Sequence, residues 1–203
     1  MEGLLKRLGG IAPSRVRLRP LPGSATEADL VRIYQSEKVL CELTDGILVE
    51  KTVGAEESFL TMHLVILLGN FIELHDLGAL MGPDGAIRLM PGLIRIPDIS
   101  FVTWKKLPQR VYPRDPIANL IPDLAIEVLS KGNTRREMAL KLRDYFDAGI
   151  KLVWFVSPKT RTVNVYIPLG KSIKLTEDQT LEGGDVLPGF TLPLRKLFAR
   201  LGG

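Results

Sequence analysis

The run Leu124-Ala125-Ile126-Glu127-Val128-Leu129 constrains this chain more than any other feature. It is strand-length, bounded by Pro122-Asp123 and Ser130, and apolar on both alternating faces. A strand of that kind needs cover on both sides, so it belongs inside a sheet flanked by helices. Its one acidic residue, Glu127, is then a carboxylate in an apolar strand, and Ile96-Pro97-Asp98-Ile99 repeats the pattern with Asp98. Burying an unpaired carboxylate is costly, so each requires a cation, a hydrogen-bond donor or a metal. On neighbouring strands the two could clamp one hard divalent cation; otherwise they are separately satisfied polar groups at sheet ends.

The surrounding pattern supplies the helices. From residue 56 to 77, Leu60, Leu64, Leu67, Leu68 and Phe71 mark one buried stripe, with Gly78 as the expected stop. Thr134 and Glu137 form a T-x-x-E capping box that predicts a helix to about Ala148, ended by Gly149. Residues 86–90, 93–103 and 122–130 read as three strands between these helices, and residues 151–156 as the strand after them. Outside this core, residues 26–36 read as a short helix, and residues 39–43 and 47–51 as an N-terminal hairpin turned by Thr44-Asp45-Gly46. Strands at 161–167 and 172–176 and a helix at 194–201 complete the chain.

A length of 203 residues with 45% hydrophobic and 25% charged content fits one domain with a sizeable core. The longest apolar run, residues 64–68, is broken nearby by Asn70 and Glu73, which excludes a membrane span on this reading. The N-terminus lacks a secretory pattern, so the expected location is the cytoplasm. One cysteine, Cys41, and two histidines leave any metal to oxygen ligands. Five basic residues against Glu2 give the first twenty residues a net charge of +4, equal to that of the whole chain. The expected organisation is a basic, flexible arm over residues 1–24 and a single domain over residues 25–203.

Lys141 lies three residues after Met138 and four before Tyr145, beside the apolar stripe of its helix, from where it can snorkel toward the sheet end. Asp123 shares a strand face with Glu127, but about 13 Å of extended chain separates them, so they cannot share one metal.

Together, Ile96-Pro97-Asp98 through Phe101, the 122–130 run, Asn133-Thr134, Lys141, Tyr145, Gly149 and Val153-Trp154-Phe155-Val156 resemble the Uma family of restriction endonucleases. That family lies within the PD-(D/E)XK nuclease superfamily, and the likeness extends to Glu42-Leu43 and Asp45-Gly46. The resemblance implies an α/β restriction-endonuclease-like core, ordered helix-strand-strand-strand-helix-strand, with a central mixed sheet. It also implies an Mg²⁺-dependent endonuclease, with Mn²⁺ as substitute, acting as a homodimer on nucleic acid, DNA in the first instance, and not on membranes. Carried over by residue, Asp98 and Glu127 hold the metal, the Val128 carbonyl completes its coordination, and Glu57 is the acid from the first helix. Leu129 stands where the superfamily pattern has lysine; Lys141 fits the migrated position and Lys131 is the weaker substitute. The displaced lysine and a body of neutral charge keep a second class open, a nuclease-like module that binds nucleic acid or protein without turnover.

Overall fold

The computed structural model describes residues 2–52 and 54–202. Chain order begins with helix α1 (Glu2–Arg7), helix α2 (Glu27–Glu37), strands β1 (Cys41–Thr44) and β2 (Ile47–Glu50), and helix α3 (Ala55–Leu74). Strands β3 (Gly78–Met81), β4 (Ile87–Met90), β5 (Leu93–Arg95), β6 (Ile99–Thr103) and β7 (Leu124–Val128) precede helix α4 (Arg135–Asp147). Strands β8 (Leu152–Ser157), β9 (Thr162–Ile167), β10 (Lys171–Thr176), β11 (Thr180–Glu182) and β12 (Thr191–Pro193) lead to helix α5 (Leu194–Phe198).

Six strands form the main sheet in the order β10-β9-β8-β7-β6-β3, and β7 with β8 is its one parallel pair. The strand apolar on both faces is buried at every position, as its composition requires. Ile126 and Val128 join Leu60, Leu64, Leu68 and Ile72 of α3 in the largest core cluster, while Ala125 packs with Met138 and Tyr145 of α4. Glu127 alternates with Ile126 and therefore lies on the α4 side. The sequence α3, β3, β6, β7, α4, β8 is the expected helix-strand-strand-strand-helix-strand core.

Its first strand is not the expected one. Residues 86–90 and 93–95 enter a second sheet, ordered β2-β1-β5-β4, and the core strand is β3, where a helix stop was predicted at Gly78. Gly78 serves close approach instead: a Cβ there would lie 2.0 Å from the Val102 carbonyl oxygen. The strand read over residues 93–103 is two strands in different sheets, interrupted at Ile96-Pro97-Asp98, because proline cannot donate to a ladder.

Two further expectations are corrected. By length and composition α3 is apolar enough to cross a bilayer, although its continuous apolar run is short. In the fold its buried stripe fills the main core, and Phe59, Met62 and Ile66 lie on the opposite, exposed face. Residues 2–24 are not a free arm. Val16 bridges to Val49, the Thr134 hydroxyl donates to the Gly9 carbonyl at 2.6 Å, and Arg15 pairs with Glu137 at 2.8 Å. Gly9 has φ +84° and lies so close to α4 that a Cβ would sit 2.4 Å from the Glu137 nitrogen.

Candidate active site

The break at Pro97 puts Asp98 immediately before β6, and the pairing of Ile99 with Ile126 brings it opposite Glu127. The Val128 N–H donates to Asp98 Oδ2 at 2.6 Å, and Lys51, just past β2, pairs with Asp98 Oδ1 at 2.8 Å. From α4, Lys141 donates to Glu127 Oε1 at 3.0 Å, and the Tyr145 hydroxyl donates to the same oxygen. That helix is positioned by the Thr134–Glu137 capping box, which is present in both directions.

Sequence reasoning did not assign Glu42 to the site, yet it stands at the centre. Its Oε1 pairs with Lys141 at 2.8 Å and accepts from the Ile96 N–H at 3.1 Å, while Oε2 pairs with Arg95 at 3.0 Å. Arg95 in turn donates from Nε to Asp144 at 3.1 Å. The signal was available: Cys41-Glu42-Leu43 is a third carboxylate inside an apolar strand. No comparable sequence pattern singles out Lys51.

One small cavity, of about 10 Å³, is lined by Arg15, Glu42, Lys51, Thr52, Asp98, Glu127, Val128, Asn133 and Lys141. That volume matches about one water-sized sphere. Asp98, Glu127, Val128 and Lys141, the residues selected from sequence, therefore meet at one point. Glu57 is not among the residues lining this cavity; its carboxylate lies against Gly54 at the start of α3. Lys131 is exposed in the turn after β7, and Asp123 is at the other end of β7, bonded to the Thr103 N–H and hydroxyl and paired with Lys106 and Lys151.

Burial dominates the electrostatics. It raises the Glu127 carboxyl above the ordinary carboxylate range, Asp98 raises it further, and Lys141 opposes the shift. At Glu42 burial also favours the neutral acid, but Lys141 and Arg95 overcome it and hold the carboxyl down to about 2. Burial lowers the Lys141 ammonium, yet Glu127 and Glu42 outweigh it and the group is raised, so it stays charged. Asp98, Glu127, Glu42 and Asp144 are paired with Lys51, Lys141 and Arg95, and Arg15, which also lines the cavity, pairs with Glu137.

The family model described as "Uma2: Putative restriction endonuclease" matches residues 27–195. The chain belongs to the Uma2 family. A crystal structure from Anabaena variabilis, described as a putative nuclease belonging to DUF820, superposes with a TM-score of 0.70 at 18% identity. The match covers 80% of this Uma2 chain and 91% of the other, so the two share a fold. Among curated proteins no match is found. A nuclease is thus the description attached both to the Uma2 family and to a protein of the same fold.

Proposed function

We propose that this Uma2 protein is a divalent-cation-dependent endonuclease hydrolysing phosphodiester bonds of nucleic acid, with DNA as the expected substrate. The observation that carries the reading is the convergence of Asp98 and Glu127, with Glu42, Lys51 and Lys141, on one small cavity. The donors fit a hard ion: they are all oxygens, and no described residue donates to Glu127 Oε2.

Asp98 and Glu127 would hold Mg²⁺ or Mn²⁺, with the Val128 carbonyl as a further oxygen. When bound, such an ion acidifies water and neutralises charge developing on the phosphate. The chain's own residues do the rest. Lys141 carries three N–H groups, of which Glu42 and Glu127 take two, so one remains to orient a water or contact a phosphate oxygen. Tyr145 and Lys141 fix Glu127 from one side, and the Val128 N–H and Lys51 fix Asp98 from the other. Cutting both strands of a duplex calls for two such sites, which is the reason for proposing a homodimer.

A second reading, a nuclease-like module without turnover, is favoured by one observation: both carboxylates are already paired with internal lysines. Incubation with supercoiled plasmid, single-stranded DNA and RNA separates the two. The endonuclease reading predicts cleavage of at least one substrate with Mg²⁺ or Mn²⁺, none with chelator, and none by Asp98→Asn or Glu127→Gln. Absence of cleavage under every condition by folded wild type would favour the binding module.

A further inference from the structure

Two lysines border the cavity, and their donor inventories differ. Lys141 has two acceptors for three N–H groups. Lys51 has three: Asp98 Oδ1 at 2.8 Å, the Ile96 carbonyl at 2.8 Å and the Pro83 carbonyl at 3.2 Å. Its side chain is only 8% exposed, so water does not compete for these contacts. Lys51 therefore has no N–H left to offer a substrate, although its charge sits directly on one of the two carboxylates expected to hold metal.

The three contacts tie together separate pieces of chain. Ile96 and Asp98 flank Pro97, where the backbone passes from the sheet of β5 to the sheet of β6 and has no ladder of its own. Pro83 is in the loop between β3 and β4. Lys51 itself follows β2, and its backbone N–H donates to the Leu40 carbonyl at 2.9 Å, which anchors the stem to the hairpin. One ammonium thus braces the sheet switch that Pro97 imposes and holds the Asp98 carboxylate in place. We infer that Lys51 is a positioning residue of this site, which aims Asp98 and, through its fixed charge, weakens the hold of the site on a divalent cation.

The second half of that statement follows from Coulomb's law. A permanent positive charge beside Asp98 repels a second cation brought to the same carboxylate, most strongly where water is excluded. Removing the charge while keeping the fold should tighten metal binding, even as it loosens the carboxylate and slows chemistry. A residue that served packing alone would, on removal, weaken binding or leave it alone. The inference rests on the reading of Asp98 as a metal ligand.

The test is Mn²⁺ affinity, measured by titration calorimetry or by electron paramagnetic resonance of free Mn²⁺, for wild type, Lys51→Met, Lys51→Gln, Lys51→Arg and Asp98→Asn. Lys51→Gln retains side-chain N–H donors for the Ile96 and Pro83 carbonyls, so a neutral variant stays available if Lys51→Met does not fold. Folded neutral variants should bind Mn²⁺ about tenfold or more tightly than wild type, and Lys51→Arg close to wild type. At saturating Mn²⁺ the neutral variants should lose at least tenfold in kcat on whichever nucleic acid is cleaved, with KM unchanged, because Lys51 does not touch substrate. Neutral variants that fold and bind Mn²⁺ no more tightly than wild type would overturn the role of Lys51 while leaving the metal site intact. Wild type and Asp98→Asn binding Mn²⁺ equally, or neither binding it, would instead overturn the assignment of Asp98, and this inference with it.

Discussion

Lys141 shows how burial changes the meaning of a mutation. Its place beside the apolar stripe lets it reach the sheet end, where it is buried between Glu42 and Glu127. Lys141→Ala should abolish cleavage and also destabilise the fold by about 3–5 kcal/mol, because it strands buried carboxylates. Urea unfolding measures this; a loss below about 0.5 kcal/mol would mean the ammonium is solvated. Glu42 makes a matching pH prediction. Its carboxyl is held at about 2 in the folded protein against an ordinary 4.5, so it contributes stability that is present above pH 4.5 and lost as pH falls toward 2. Glu42→Gln should be less stable at neutral pH and flatter across that window. At this scale the sequence was readable wherever a carboxylate interrupts an apolar strand, which is why Asp98 and Glu127 stood out. Lys51 and Arg95 left no mark, because their partners lie dozens of residues away.

Among the elements, α4 carries the site's lysine and tyrosine and starts at a capping box that its sequence announces. Thr134 also holds the N-terminal segment through Gly9, so Thr134→Ala removes a cap and a tether together. The expected cost is about 1–2 kcal/mol in urea unfolding, with increased amide exchange at residues 9–11; a stability change near zero would contradict the tether. Helices α3 and α4 and strand β7 were legible because their patterns are long or doubly apolar. Strand β3 was not, since four residues beginning with glycine directly after a helix look like a stop and a loop. Nor was the split at Pro97 read as a change of sheet, because alternation continues on both sides of the break while pairing partners change.

For the whole molecule, the basic N-terminus is not the free arm that its composition suggests. Arg15 is engaged by Glu137 and Arg17 by Glu37 and Glu50, so two of the five early cations are already neutralised within the fold. Charge counted along the sequence could not reveal this, because Arg15 meets Glu137 only after the sheet has formed. Asp98 and Glu127 line the small cavity inside, and a cation held there should make stability respond to metal. A cation that binds only the folded chain adds about 2.7 kcal/mol at a hundredfold excess over its Kd. Thermal unfolding should therefore shift upward with excess Mg²⁺ or Mn²⁺ relative to chelator in wild type, and not in Asp98→Asn. Equal shifts in both would place the cation elsewhere. The most direct measurement is an anomalous difference map from crystals of this protein soaked in Mn²⁺. One dominant peak is expected within coordinating reach of both Asp98 and Glu127, absent from Asp98→Asn crystals; wild-type crystals with no peak there, or with Mn²⁺ only at other residues, would rule out a metal held by these two carboxylates.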